Sequence, residues 1–267
     1  MSKKNYSNGL YGQLHYRQSL PNIDTNESLF CFHMSPYSSV VYENFLSETA
    51  TIHKSVVAID TPGFGNSDPT LQPPTIEDYA DAMIHLAEDL KIKSLNIMGY
   101  HTGSKIALEV ANKKPELINK VILISAPIFN QEEVNDFKSH YLNKDKILKS
   151  DGSHLQDAWN EVLHWSMKGR SIEHISETFH ARLINPKISW WGHNAAFNYN
   201  SAEAISKIDS PILILNPGDD LYELTPRAQK YLQHPQSRIM DLKDWSHGFL
   251  DVKTSEAASI IFQFLDN

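Results

Sequence analysis

Five residues, Gly99-Tyr100-His101-Thr102-Gly103, stand between an apolar β-type run, Ser94 to Met98, and a helix-type run, Lys105 to Asn112. Small residues two positions either side of a central reactive one are the sequence form of a nucleophile elbow. That strand-to-helix turn is so sharp that a Cβ at either flank would clash. The central position ordinarily carries Ser, Cys or Asp, and here it carries His101. An imidazole Nε2 lies about 4.5 Å from Cα where a serine Oγ lies about 2.4 Å, so the reactive atom reaches roughly 2 Å further. That displacement rules out simple substitution for serine in an unchanged pocket, because attack geometry tolerates little misplacement.

An elbow needs a strand, a helix and a sheet to hold it, and the chain supplies them in alternation. Tyr11 to Arg17 alternates in polarity as an antiparallel strand does, whereas Ser28–Phe32, Ser55–Ile59 and Lys120–Ser125 are apolar runs suited to strands buried on both faces. A helix is expected over Val41–Thr49. Thr75–Leu90 reads as an amphipathic helix whose capping box pairs Thr75 with Asp78. After Pro127 the alternation stops. Residues 128–205 hold helix-type runs, His154–Lys168 and Ile172–Leu183, and a concentration of aromatics, but no buried strand pattern. Alternation resumes with a strand at Pro211–Leu215, a helix at Thr225–Gln233, a strand at Arg238–Leu242 and a closing helix at Thr254–Leu265. The expected architecture is α/β, a mostly parallel central sheet flanked by helices. Its core comprises 1–127 and 206–267, and 128–205 forms a helical lid insertion.

Composition narrows the function classes. The chain has 267 residues, 24 basic against 32 acidic side chains and a net charge of −8, with no basic run. Neither nucleic acid nor an anionic membrane is therefore expected as the partner. The single cysteine, Cys31, sits in an apolar run and reads as a buried structural thiol. The opening residues lack the apolar stretch of a signal peptide, and no run reaches the ~20 apolar residues of a membrane span. A cytoplasmic location is the default expectation.

Four motifs in order carry a family resemblance: His33-Met34-Ser35-Pro36, Asp60-Thr61-Pro62-Gly63-Phe64-Gly65-Asn66-Ser67, the elbow, and a late Asp and His. With the order of elements, they make the chain resemble the α/β-hydrolase fold superfamily from about Tyr11 to Leu265. The resemblance implies a triad in the order nucleophile, acid, histidine. The acid falls in Asn216-Pro217-Gly218-Asp219-Asp220, where Asp219 is preferred and Asp220 is the close alternative. The histidine falls at His247, in Trp245-Ser246-His247-Gly248. It also implies an oxyanion hole of two backbone amides, Thr102 and Ser35. Met34 departs from the Gly usual after the loop histidine. His33, Met34, Trp165, Trp190 and Trp191 are the expected pocket residues, with His33 also suited to bracing its loop. Ser104, three residues past the elbow, is expected to point away from the site.

Three roles are open to His101. It could form an acyl-imidazole as a nucleophile, share acid–base work with His247 around a water or an acidic C–H, or line a pocket that only binds. Retention of Asp219 and His247 weighs against the third. His33, His101 and His247 with Asp219 behind would make a workable Zn²⁺ site, but this fold does not usually require a metal, so neither metal nor cofactor is expected. The function expected is hydrolysis of a small, largely apolar ester, lactone or activated C–C bond through His101, Asp219 and His247. The alternative is a non-catalytic small-molecule-binding pseudoenzyme, or a lyase, on the same fold.

Overall fold

The computed structural model describes residues 2–142 and 148–267. Eight strands form one sheet: β1 (Lys3–Gly9), β2 (Gly12–Gln18), β3 (Ser28–Phe32), β4 (Ser55–Ile59), β5 (Leu95–Tyr100), β6 (Ile118–Ile124), β7 (Ile212–Pro217) and β8 (Arg238–Leu242). Their order across the sheet is β1-β2-β4-β3-β5-β6-β7-β8. β1 pairs antiparallel with β2, and β2 antiparallel with β4. The six strands from β4 across to β8 are parallel.

The apolar runs explain this layout. β3, β4, β5 and β7 are buried at every residue, so side chains alternate between two cores. Phe30, Phe32, Val57, Ile97 and Leu123 pack on one face under α2 (Ile76–Asp89) and α3 (Thr102–Lys113). Leu29, Cys31, Ala58, Met98 and Ile122 pack on the other, under α1 (Glu43–Thr51) and the last helix (Thr254–Asp266). Cys31 is fully buried, and burial pushes its thiol well above its usual value, as suits an inert core residue. The capping box expected at α2 is present, with Thr75 Oγ1 accepting from the Asp78 N–H and the Asp78 carboxylate accepting from the Thr75 N–H.

Two local expectations are corrected and one strand is added. Lys3–Gly9 is an edge strand, β1, ahead of the expected first strand and joined to β2 by the two-residue turn Leu10-Tyr11. An edge strand exposed along much of its length needs no apolar periodicity, so its sequence carried no signal. The expected Val41–Thr49 helix is a 3₁₀ turn, Ser39–Tyr42, followed by α1. Thr225–Tyr231 is 3₁₀ rather than α-helical.

Between β6 and β7 the described residues are helical: α4 (Gln131–Tyr141), α5 (Ser153–Trp165), α6 (Ile172–Ala181), α7 (Trp191–Phe197) and α8 (Ser201–Ser206). Residues 143–147 of this 128–205 span lie outside the described residues. No helix among the described residues is long and apolar enough to cross a membrane. Strand order reverses between β3 and β5, and at such a switch point the loops leaving the two strands diverge and open a crevice at their C-terminal ends. The loop of His33 and the turn of His101 leave those two strands.

Candidate active site

His101 occupies the elbow with φ 49° and ψ −108°, a conformation that side-chain-bearing residues rarely adopt. The flanking glycines make it attainable. A Cβ on Gly99 would run into the Gly103 carbonyl, and one on Gly103 into the Phe32 carbonyl of the neighbouring strand. Ser104 turns inward, as expected, and its Oγ donates to the carbonyls of Gly99 and Ile124, locking the turn from beneath. Thr102 opens α3, where backbone N–H groups have no acceptor within the helix.

The loop after β7 brings two carboxylates to the elbow. His101 Nε2 donates to Asp219 Oδ2 at 3.0 Å, and Ser125 Oγ donates to the same oxygen at 2.6 Å. The Leu221 N–H holds Asp219 Oδ1 at 2.9 Å. His247 Nε2 donates to Asp220 Oδ1 at 3.1 Å and lies 3.8 Å from Asp219 Oδ2. Each imidazole thus has its own carboxylate, and the ring centroids of His101 and His247 are 5.2 Å apart. Sequence reasoning preferred Asp219 as the acid partnering His247, with Asp220 the close alternative. In the structure Asp219 serves the elbow imidazole, and Asp220 lies nearer to His247. The buried Tyr100 ring sets its edge against both imidazoles, at 5.0 and 6.1 Å.

Charge follows from this pairing. Burial would raise the Asp219 carboxyl, but the His101 ring outweighs it and holds the group below the usual carboxylate range. Burial is likewise outweighed at Asp220, where His247 and His101 pull the value down to about 2. Burial would lower His101, and Asp219 more than offsets it, raising the imidazole above its ordinary value.

His101, Asp220 and His247 face a chamber of about 60 Å³ together with Met34, Ser35, Trp165, Tyr37, Tyr141, Glu161, Arg182 and His193. A larger cavity of about 930 Å³ adjoins it, lined in part by Trp165, Trp190 and the helices α4 and α5. The Trp165 ring lies over His247 with centroids 6.3 Å apart. Trp191 is buried in packing and lines neither space. His33 does not line the chamber. Thr61 N–H donates to its Nε2, its Nδ1 is bonded to the Met34 carbonyl, and burial lowers its pKa, so the neutral ring braces the loop. The three-histidine metal site therefore does not form. The four groups that converge are His101, Asp219, Asp220 and His247, with one donor atom from each within 4.8 Å of the others.

Ser125, Tyr100, Arg182, Tyr141 and His193 were missed. Ser125 sits where β6 ends, at φ 54°, and the C-terminal end of a parallel strand was a readable signal. The helical residues gave none, because their faces are chosen by packing. His193 is kept neutral, at about 3, by burial and by Arg182.

The fold agrees with the comparisons. Residues 28–157 match the family model described as alpha/beta hydrolase fold. An enol-lactonase from Burkholderia xenovorans superposes with a TM-score of 0.79 at 16% identity, covering 98% of this chain and 100% of that one. An esterase from Exiguobacterium antarcticum gives 0.80 at 15% identity, covering 99% and 100%. The chain is an α/β-hydrolase-fold protein. By sequence it is 25% identical over 71% of its length to an uncharacterised hydrolase of Bacillus subtilis, and 23% identical over 63% to (E)-2-((N-methylformamido)methylene)succinate hydrolase of Acinetobacter baylyi. The matched stretch spans 63% of the length of each of these two curated relatives.

Proposed function

We propose that the chain is a hydrolase that activates a water against a small, largely apolar carbonyl substrate, an ester, lactone or activated C–C bond, without a covalent intermediate on His101. The observation that carries this is the pair of imidazole–carboxylate couples facing one chamber. A nucleophile must direct its free nitrogen at the substrate, and His101 Nε2 is instead directed at Asp219. A pocket that only binds has no use for two ionised carboxylates at its floor, since burying charge is costly unless the site needs it. In this reading the Thr102 and Ser35 amides hold the developing oxyanion, and the 128–205 insertion acts as a lid. Gly192 of α7 already presses against Ser35, where a Cβ would strike the hydroxyl. The hydrolase and enol-lactonase names of the relatives support the carbonyl class.

The test is turnover of a panel of p-nitrophenyl esters and lactones by the wild type and His247→Ala, combined with a fluorophosphonate probe. Turnover that disappears in the variant, with no covalent label on the wild type, is expected. An acyl-enzyme trapped on His101 would replace this reading with the nucleophilic one. A wild type as inactive as the variant yet binding apolar ligands tightly would replace it with the receptor.

A further inference from the structure

We propose that His101, Asp219, Asp220 and His247 together bind one divalent transition-metal ion of the Zn²⁺ type. The inference rests on the reading that this constellation activates water, and it names the activating group. One donor atom from each residue lies within 4.8 Å of all the others. Three of the six separations are 3.0 Å between His101 and Asp219, 3.1 Å between His247 and Asp220, and 3.8 Å between His247 and Asp219, and the other three lie within 4.8 Å. A tetrahedral ion with bonds of about 2.0–2.1 Å needs donor–donor edges of about 3.4 Å, which these distances bracket. Two nitrogens and two carboxylate oxygens are a donor set suited to a borderline ion, and three of the four residues also face the chamber where a water or substrate oxygen would enter.

Charge points the same way. Metal ligation requires both imidazoles to be neutral, and in that state the four groups carry −2, with the Asp219 side chain 0% exposed. Arg182, on the chamber wall, is paired with Glu161 at 3.1 Å, and the buried Lys105 amine is bonded to Ser201. Neither compensates the two carboxylates, whereas a dication would. The supporting shell is also in place. Ser125 Oγ and the Leu221 N–H hold the two oxygens of Asp219, and the Tyr100 ring packs in a T-shaped contact with each imidazole. This assignment explains the elbow histidine. A serine Oγ, roughly 2 Å shorter in reach, would fall short of the other donors, while an imidazole meets them. A water entering from the chamber side would have to add as a fifth ligand, and the ion would then lower its pKa, relieving the imidazoles of that task.

The experiment is a titration of chelator-dialysed protein with Co²⁺, followed by its visible ligand-field bands, and with Zn²⁺ by calorimetry. One equivalent should bind, with bands of low-coordinate cobalt and with proton release. His101→Ala and His247→Gln, each checked for fold by circular dichroism, should weaken binding by more than the roughly 10–100-fold that loss of a supporting partner costs. Ser125→Ala should fall within that range. His53→Ala, at an exposed histidine far along the chain, should bind as the wild type does. Absence of a saturable single site in the wild type, or unchanged affinity in His101→Ala, would overturn the proposal. Turnover separates the two readings. Full activity in metal-free protein sinks the metal and leaves the hydrolase. A metal-loaded protein inert on the substrate panel does the reverse.

Discussion

His15 and Asp60 meet at 2.8 Å, and His101 and Asp219 meet at 3.0 Å, so the molecule holds two histidine–carboxylate pairs of almost the same length. The first is sealed, with both side chains 1% exposed. Every direction around Asp60 is used: its oxygens accept from His15, the Asn66 N–H and the Ser39 N–H, and a Cβ at Gly65 would collide with it. The second opens on a chamber, stands beside a second carboxylate and a second imidazole, and sits on a backbone held at positive φ. A buried His–Asp pair is therefore not a site in itself. Access, unspent donor capacity and strain separate the proposed catalytic pair from the bracing one.

The comparison can be broken by substitution. His247→Ala should lower turnover by about 10³-fold or more, because it removes one of the two imidazoles proposed to handle the proton, while thermal melting changes little. Asp60→Asn should do the opposite. Breaking a buried pair costs about 3–5 kcal/mol. At roughly 2–4 °C per kcal/mol for a chain of this size, melting should fall by some 6–20 °C. Turnover per folded molecule should stay within about 10-fold. If Asp60→Asn abolished turnover in fully folded protein, the two pairs would not differ in kind.

Acid sharpens the contrast further. Burial would raise Asp60, but His15, His33 and the Ser39 N–H outweigh it and hold the carboxyl at about 2 in the folded state. A depressed folded value means that the stabilisation is present above the ordinary carboxylate pKa and is lost as pH falls from about 4 towards 2. A shift of this size corresponds to about 2–3 kcal/mol. Melting curves between pH 5 and pH 2 should therefore fall less steeply for Asp60→Asn than for the wild type, and parallel curves would refute the assignment. The smallest effect is expected at Ser125→Ala, which removes one hydrogen bond to Asp219. A loss of about 10-fold in kcat with unchanged melting is expected, and a loss confined to KM would place Ser125 outside the machinery.

Much of the site was legible in one dimension. The glycines around His101 announced the elbow because backbone clash leaves no other residue there, and the buried strands announced themselves as apolar runs. His247 could be placed from its position between the last strand and the last helix. Which carboxylate serves which imidazole could not be read, because Asp219 and Asp220 are adjacent and point to different partners only once the turn after β7 closes. His33 lies next to the site in sequence logic, yet its ring is spent on Thr61 and Met34.

By itself, then, the sequence determined the alternation of strands and helices, the sharp turn and the presence of an imidazole where a hydroxyl is usual. These are properties of local sterics and hydrophobic patterning, which act over a few residues. The tertiary structure alone decided that Asp220 joins His101 and His247 on one chamber with Asp219 behind them, that Ser125 and Tyr100 pack against this group, and that Arg182 and His193 wall the chamber. Side chains separated by more than a hundred positions meet only where packing of the sheet and the inserted helices leaves a space, and no short-range rule encodes that.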